Sequence, residues 1–226
     1  MDLLTYDLAK TPLREVNAAL HQSGLPAEIR ILNPDGAHSV AVGLDQAVTV
    51  TVEGHVGYYA AGMNQRAEVV IEGNAGTGVG ENMMSGTIRV HGSASQSAGA
   101  TAHGGLLVID GNAAARCGIS MKGVDIVVGG NVGHGSAFMA QAGRLVIRGD
   151  AGHGLGDSIY EARLYVKGTV ASLGADCVEK QMRPEHLEEL AVLLAAAGLD
   201  DDPADYTRYG SARRLYNFHV DNTSAY

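Results

Sequence analysis

Two columns of aliphatic side chains run through the middle of the chain at a period of nineteen residues. The first holds Val69, Ile88, Leu107, Ile126, Leu145 and Leu164; the second holds Ile71, Val90, Ile109, Val128, Ile147 and Val166. The flanking positions are mostly polar, with Glu68, Thr87, Asp125, Arg144 and Arg163 before and Glu72, His91, Asp110, Arg148 and Lys167 after. Alternation at period two predicts a short strand with one face turned inward. Each strand runs into a glycine, and these keep the same interval: Gly54, Gly73, Gly92, Gly111, Gly130, Gly149 and Gly168. A register held without slip over that distance predicts a stack of equivalent coils anchored on those glycines.

Counting from each anchor glycine, position seven is always Gly or Ala, as in Ala61, Gly80, Gly99, Gly118, Ala137 and Gly156. Position thirteen is nearly as small. Small residues mark corners where the chain turns. Position ten is mostly apolar, with Met83, Ala102, Met121, Ala140 and Ile159, which predicts a second inward side. The fold expected is an all-β solenoid, a right-handed parallel β-helix of about seven 19-residue coils with short helices at both ends. Its strands would stack about 4.8 Å apart, giving a rod roughly 30 Å long.

Position sixteen lies between the two aliphatic columns and should face outward. It reads Val70, Arg89, Val108, Val127, Val146 and Tyr165. An outward apolar ladder needs a cover, from this chain or from a partner. Val127, at its centre, is therefore a candidate interface residue.

The ends have their own signals. Thr11 and Pro12 read as the N-cap and first position of a helix that stops near Gly24. Glu28 to Leu32 reads as a strand, and Asn33-Pro34-Asp35-Gly36 as a turn. Pro184 opens a second helix through Leu187, Leu190, Ala191 and Leu194 to Gly198, whose apolar stripe could cap the solenoid or cover the valine ladder. The chain divides into an N-terminal helix and strand cap (1–45), the β-helix (46–180), a C-terminal helix (181–199) and an aromatic-rich tail (200–226). That tail holds Tyr206, Tyr209, Tyr216, Phe218 and Tyr226. A disordered tail would be poor in aromatics, so it should pack on the chain itself or on a partner.

Composition narrows the function. There are 31 glycines, two phenylalanines and no tryptophan, which suits a narrow core of small aliphatics. The formal charge is −9 and no basic run occurs, which argues against nucleic acid as a partner. No segment approaches the ~20 apolar residues of a membrane span, and no targeting segment is evident. Cys117 and Cys177 are far apart, so neither a disulfide framework nor cluster ligation by this chain is expected. These readings place the protein in the cytoplasm.

Candidate chemistry is sparse. Gly76-Thr77-Gly78-Val79-Gly80 and Gly152-His153-Gly154-Leu155-Gly156 resemble dinucleotide fingerprints, but no helix follows either, so they read as turn formers. His134 and His153 share position four on adjacent coils without an evident third ligand. Cys117 falls among small apolar residues and reads as a buried hydrophobe. Asp157 and Glu161 could serve a carbohydrate-cleaving enzyme, but the repeat lacks aromatic platforms. No catalytic, cofactor-binding or metal-binding residues are assigned. The interface candidates are Tyr58, Tyr59, Asn64, Asn82, Val127, Tyr216 and Phe218.

The glycine-anchored coils, with Gly-x-Gly-x-Gly at 76–80 and 152–156, resemble the GXGXG β-helix family. That domain forms the C-terminal part of the large subunit of glutamate synthase and occurs in formylmethanofuran dehydrogenase and formyltransferase/hydrolase complexes. Val52–Tyr59, Gly62–Gln65, Glu81–Gly86, Arg116–Gly123, Leu173–Lys180 and Tyr209–Phe218 resemble more closely the glutamate-synthase-like β-helix subunits of N-methylglutamate synthases. The resemblance implies a non-catalytic scaffold or coupling subunit. Its expected partners are a glutamine amidotransferase-like subunit and a synthase-like subunit that carries FMN and an iron–sulfur cluster.

Overall fold

The computed structural model describes residues 3–214. One eleven-stranded sheet runs the length of the molecule. Its strands are β1 (Leu3–Asp7), β2 (Glu28–Leu32), β3 (Thr49–Glu53), β4 (Glu68–Ile71), β5 (Thr87–Val90), β6 (Leu106–Ile109), β7 (Lys122–Val128), β8 (Ala142–Ile147), β9 (Arg163–Val166), β10 (Cys177–Lys180) and β11 (Thr207–Ser211). From β1 to β9 every neighbouring pair is parallel and successive in sequence. This is the β-helix expected. Val50 pairs with Val69, Val69 with Ile88, Ile88 with Leu107 and Leu107 with Ile126, so the nineteen-residue interval is the physical register of the stack.

The two aliphatic columns lie inside and are almost wholly buried from Val69 and Ile71 to Leu164 and Val166. A further inward side appears two residues after each anchor. Val56, Ala75, Ala94, Ala113, Val132 and Ala151 are buried, and single parallel bridges link each to the next. The sequence reading did not single out this column, because its alanines look like corner residues. Position six closes the core with Ala60, Val79, Ala98, Cys117 and Leu155.

The corner between these sides has an unusual backbone. At position seven, Ala61, Gly80, Gly99, Gly118, Ala137 and Gly156 all have φ between 52° and 68°. At position nine, Met63, Asn82, Thr101, Ser120, Met139 and Ser158 do as well, with φ between 51° and 56°. Two turns overlap in each of the five coils between Gly73 and Gly168. In one, Glu81 N–H donates to Gly78 O; in the next, Met83 N–H donates to Gly80 O. Positive φ at the third residue is what a type II turn requires. Position nine meets it with residues of several sizes, whereas position seven is confined to Gly or Ala by the crowded wall, where a Cβ on Gly99 would lie 2.6 Å from Ile126 Cδ1. Backbone amides point alternately along the rod. Gly80 N–H reaches back to Ala60 O, while Asn82 N–H reaches forward to Ala100 O.

The anchor glycines serve a different need. A Cβ on Gly149 would lie 2.2 Å from Asn131 Oδ1 and 2.7 Å from Gly130 C. One on Gly130 would lie 2.3 Å from Asn112 Oδ1. Close approach of the preceding coil, not positive φ, excludes a side chain at these two positions.

Helix α1 (Leu13–Leu20) buries Val16 and Leu20 against the first coils. Its N-cap is Pro12 and no side chain caps it, so Thr11 lies one residue outside. Helix α2 (Pro184–Ala196) begins at the expected proline; the backbone N–H of its N-cap Arg183 donates to His186 Nδ1 at 3.2 Å.

The C-terminal end is built differently. Strand β11 inserts between β9 and β10 and runs antiparallel to both. Tyr209 pairs with Leu164 on one side and with Glu179 on the other. The tail as far as Ser211 therefore packs on its own chain. An antiparallel strand at this point interrupts the parallel stack and protects its last rung.

Candidate functional site

The outward ladder has a cover. Val108, Val127, Val146 and Tyr165 form a second core with Leu190, Leu193 and Leu194 of α2, its C-cap Ala197 and Tyr206. The chain supplies this cover itself. Val127 is fully buried beneath the helix and presents no surface of its own. Burial of each such side chain contributes roughly 1.5–3 kcal/mol, enough to seat a thirteen-residue helix.

Ionic contacts fix the helix around that apolar patch. Glu189 accepts from Tyr165 Oη at 2.6 Å and pairs with Arg144 at 3.3 Å and with Arg163. Arg144 also grips Asp125, which raises its pKa. Beyond α2, Asp201 pairs with Arg148 and Lys167 at 2.7 Å each and accepts from Tyr206 Oη at 3.2 Å. Arg89, the charged member of the ladder, donates to Ala197 O at 3.1 Å while bound to Asp110. A cation at the last carbonyls of a helix complements its dipole. The break in the ladder is thus the helix's C-terminal clasp.

A second polar device runs along the opposite edge of the strands, one residue after each anchor glycine. Asn74 N–H donates to His55 Nδ1, Ser93 N–H to Asn74 Oδ1 and Asn112 N–H to Ser93 Oγ. Asn131 N–H donates to Asn112 Oδ1, Asp150 N–H to Asn131 Oδ1 and Thr169 N–H to Asp150 Oδ1, at distances of 2.7–3.1 Å over the whole series. Each side chain caps the backbone of the next coil. Sequence reasoning missed this ladder, although the acceptor types His, Asn, Ser, Asn, Asn, Asp in one column were a visible signal.

The remaining interface candidates separate. Tyr58 is 53% exposed, and its ring stacks on His38 at 4.0 Å. Tyr59 is half-buried with φ of 60°. Asn82 is half-buried, and its Oδ1 accepts from Thr101 Oγ1 at 2.7 Å. Asn64 is not on the surface. It is fully buried in the inward column at position ten, and its Nδ2 donates to Ala67 O at 2.8 Å and Ser85 O at 3.1 Å. The backbone around it does reach the surface, since the flanking Met63 and Met84 are 43% and 49% exposed and Met84 N–H donates to Asn64 O. These methionines were overlooked. Their signal is a long apolar residue at corner positions that most other coils fill with polar residues such as Asn82, Thr101, Ser120, His103 and Lys122. Tyr216 and Phe218 lie outside the described residues.

The sites of possible chemistry stay apart. Cys117 and Cys177 are buried, and burial pushes each thiol up to about 12, far from a reactive thiolate. His134 and His153 are exposed, and His153 Nδ1 faces Ser172 Oγ at 3.3 Å. Among the described residues no group of three or more His, Cys, Asp or Glu side chains is placed to hold a metal ion. No helix there is long and apolar enough to cross a membrane.

No family model matches the chain. It is 62% identical over 224 residues to Protein GlxC of Rhizobium meliloti (strain 1021), a match that covers 97% of this chain and 98% of that one. Identity at that level along both chains leaves no room for a different fold or a different set of coils, and the protein belongs to the GlxC family.

Proposed function

We propose that this chain is the structural subunit of an N-methylglutamate synthase complex, which forms N-methylglutamate and ammonia from glutamate and methylamine. In this reading it acts in the cytoplasm and contributes no catalytic residue. It holds a glutamine amidotransferase-like subunit against a synthase-like subunit, and FMN and the iron–sulfur cluster belong to the latter. The supporting observation is the construction of the rod. Bridges, strands and a polar ladder lock every coil to the next, so two proteins bound at different coils keep a fixed separation. An intermediate handed between two sites needs that constancy, and exclusion of water protects it on the way.

The exposed Tyr58, Met63 and Met84 on the first coils suit a protein contact, since aromatic residues and methionine are enriched at interface cores. The same coils occur in the resemblance to glutamate synthase and to the formyl-transferring complexes, so the companion subunits discriminate among these readings. Affinity purification of the tagged chain from its native host is the test. A stoichiometric complex containing an amidotransferase-like and a flavin-binding subunit is expected. Recovery of the chain alone, or with formyl-transferring subunits, would overturn the proposal. Met63→Asp should release the partners without lowering the melting temperature of the isolated chain.

A further inference from the structure

The net charge of −9 hides one strongly positive place. Where β11 enters between β9 and β10, it opens a cleft of about 480 Å³ beside the start of α2. Arg163 of β9, Lys180 at the end of β10, Arg183 at the N-cap of α2, Arg208 of β11 and Arg213 just beyond it all line this cleft. Its one carboxylate is Glu161.

The acids nearby do not neutralise the group. Glu161 is engaged by Arg213 at 2.8 Å, and Glu189 is shared by Arg163, Arg144 and Tyr165. Arg183 has only a 3.7 Å contact with Glu185, its neighbour at the helix start. No ion pair joins Arg208 or Lys180 to a carboxylate among the described residues. Arg208 is instead held by one carbonyl: Nε and Nη2 donate to Gln181 O at 3.1 and 3.0 Å. That contact fixes the plane of the guanidinium and leaves its remaining N–H groups for another acceptor. Burial and repulsion from Arg183 and Arg163 make Arg208 more acidic than an ordinary arginine. Arg144, one ion pair away, moves in the opposite direction because Asp125 faces it. Arg208 and Lys180, with no carboxylate of their own and three further cations around the same cleft, are poised for an anion from outside.

We propose that this cleft binds a phosphate monoester, a site independent of the assembly suggested above. A planar carboxylate is served by one arginine fork. A phosphate presents three oxygens in different directions, which matches cations brought in by β9, β10, β11 and the start of α2. The volume admits a small phosphorylated metabolite.

The test is the thermal melting of the full chain in inorganic phosphate and in glycerol phosphate, with ionic strength held constant by sodium chloride. A saturable rise of about 5 °C is expected in both. Glutamate, a dicarboxylate, should give no such rise. Arg208→Gln should abolish the effect, and Arg30→Gln, which only loosens a surface pair with Glu53 at the other end of the rod, should keep it. If Arg208→Gln does not fold, Lys180→Gln and direct ³¹P line broadening read the same site. Absence of a saturable shift, an equal shift in chloride, or a shift confined to glutamate would overturn the proposal.

Discussion

Tyr165 and Glu189 join the sheet to helix α2 through a hydrogen bond of 2.6 Å. Tyr165 closes the valine ladder and is fully buried, so its hydroxyl has no access to water in compensation. Burial, followed by the hydrogen bond to Glu189, raises its pKa well above the ordinary tyrosine value. Tyr206 is raised in the same way, by burial and by the charge of Asp201. A raised pKa means the folded state holds the proton more tightly than the unfolded chain. The stabilisation is complete below about pH 10 and is lost as pH rises further. Stability measured by urea unfolding should therefore fall from about pH 10 upward. Tyr165→Phe should cost about 1.5 kcal/mol at neutral pH and flatten that alkaline limb.

Two glycines separate the two reasons for glycine in this fold. Gly149 needs room, because a Cβ would strike Asn131 Oδ1 and the backbone of Gly130. Gly154 has φ of 71° and nothing within 4 Å of where a Cβ would be. Gly149→Ala should destabilise by about 3 kcal/mol, as overpacking against backbone does. Gly154→Ala should cost only about 1 kcal/mol, the strain of a left-handed alanine. Adding Asn131→Ala should recover part of the Gly149→Ala loss, since it removes the nearest obstacle. Chemical denaturation of the three variants and the double mutant reads the coupling; strict additivity would contradict the geometry.

Much of this fold was legible because a solenoid repeats its physics. One strand is ambiguous, but Val69, Ile88, Leu107, Ile126, Leu145 and Leu164 at one interval are not. The strand Glu28–Leu32 and the helix beginning at Pro184 followed from ordinary alternation and proline punctuation. The column from Val56 to Ala151 escaped because a buried alanine and a corner alanine look alike without coordinates. Asn64 escaped for a related reason. Its amide turns inward to bind Ala67 O and Ser85 O, and polarity alone places an asparagine outside. The antiparallel insertion of β11 depends on pairing between residues about forty apart, such as Thr207 with Val166, and no local pattern encodes that. The basic cleft was invisible because its five cations are scattered along fifty residues and meet only through that insertion.

Val127→Asp should unfold the chain. The residue is fully buried beneath α2, in one cluster with Leu190, Leu193 and Leu194, and the cations that line the small cavity beside it, Arg89 and Arg148, are already paired with Asp110 and Asp201. Burying an unpaired charge, or detaching the helix to avoid it, should cost more than about 3 kcal/mol. Val192→Asp, on the 69% exposed side of the same helix, should leave the melting temperature unchanged. Circular dichroism melts of both variants compare the two faces directly. An unaltered melting temperature for Val127→Asp would mean that the helix does not seal the ladder in solution.

Asp201 supplies the acidic counterpart of the tyrosines. Burial works against its charge, but Lys167, Arg148 and Tyr206 overcome that and hold its carboxyl below the usual range. A depressed pKa means the unfolded chain binds the proton more readily. The stabilisation is present above about pH 4 and disappears as pH falls through the lower folded value. Asp201→Asn keeps the shape and one acceptor oxygen but leaves Arg148 without its anion and Lys167 with Asp205 alone. Those cations are partly exposed, which screens the loss to about 1–2 kcal/mol at pH 7. As pH falls through the folded value wild type and variant should converge, because both then carry a neutral group at this position. Urea unfolding across that range checks it, and a constant difference between the two proteins at every pH would show that the carboxylate's charge is not what anchors the segment after α2.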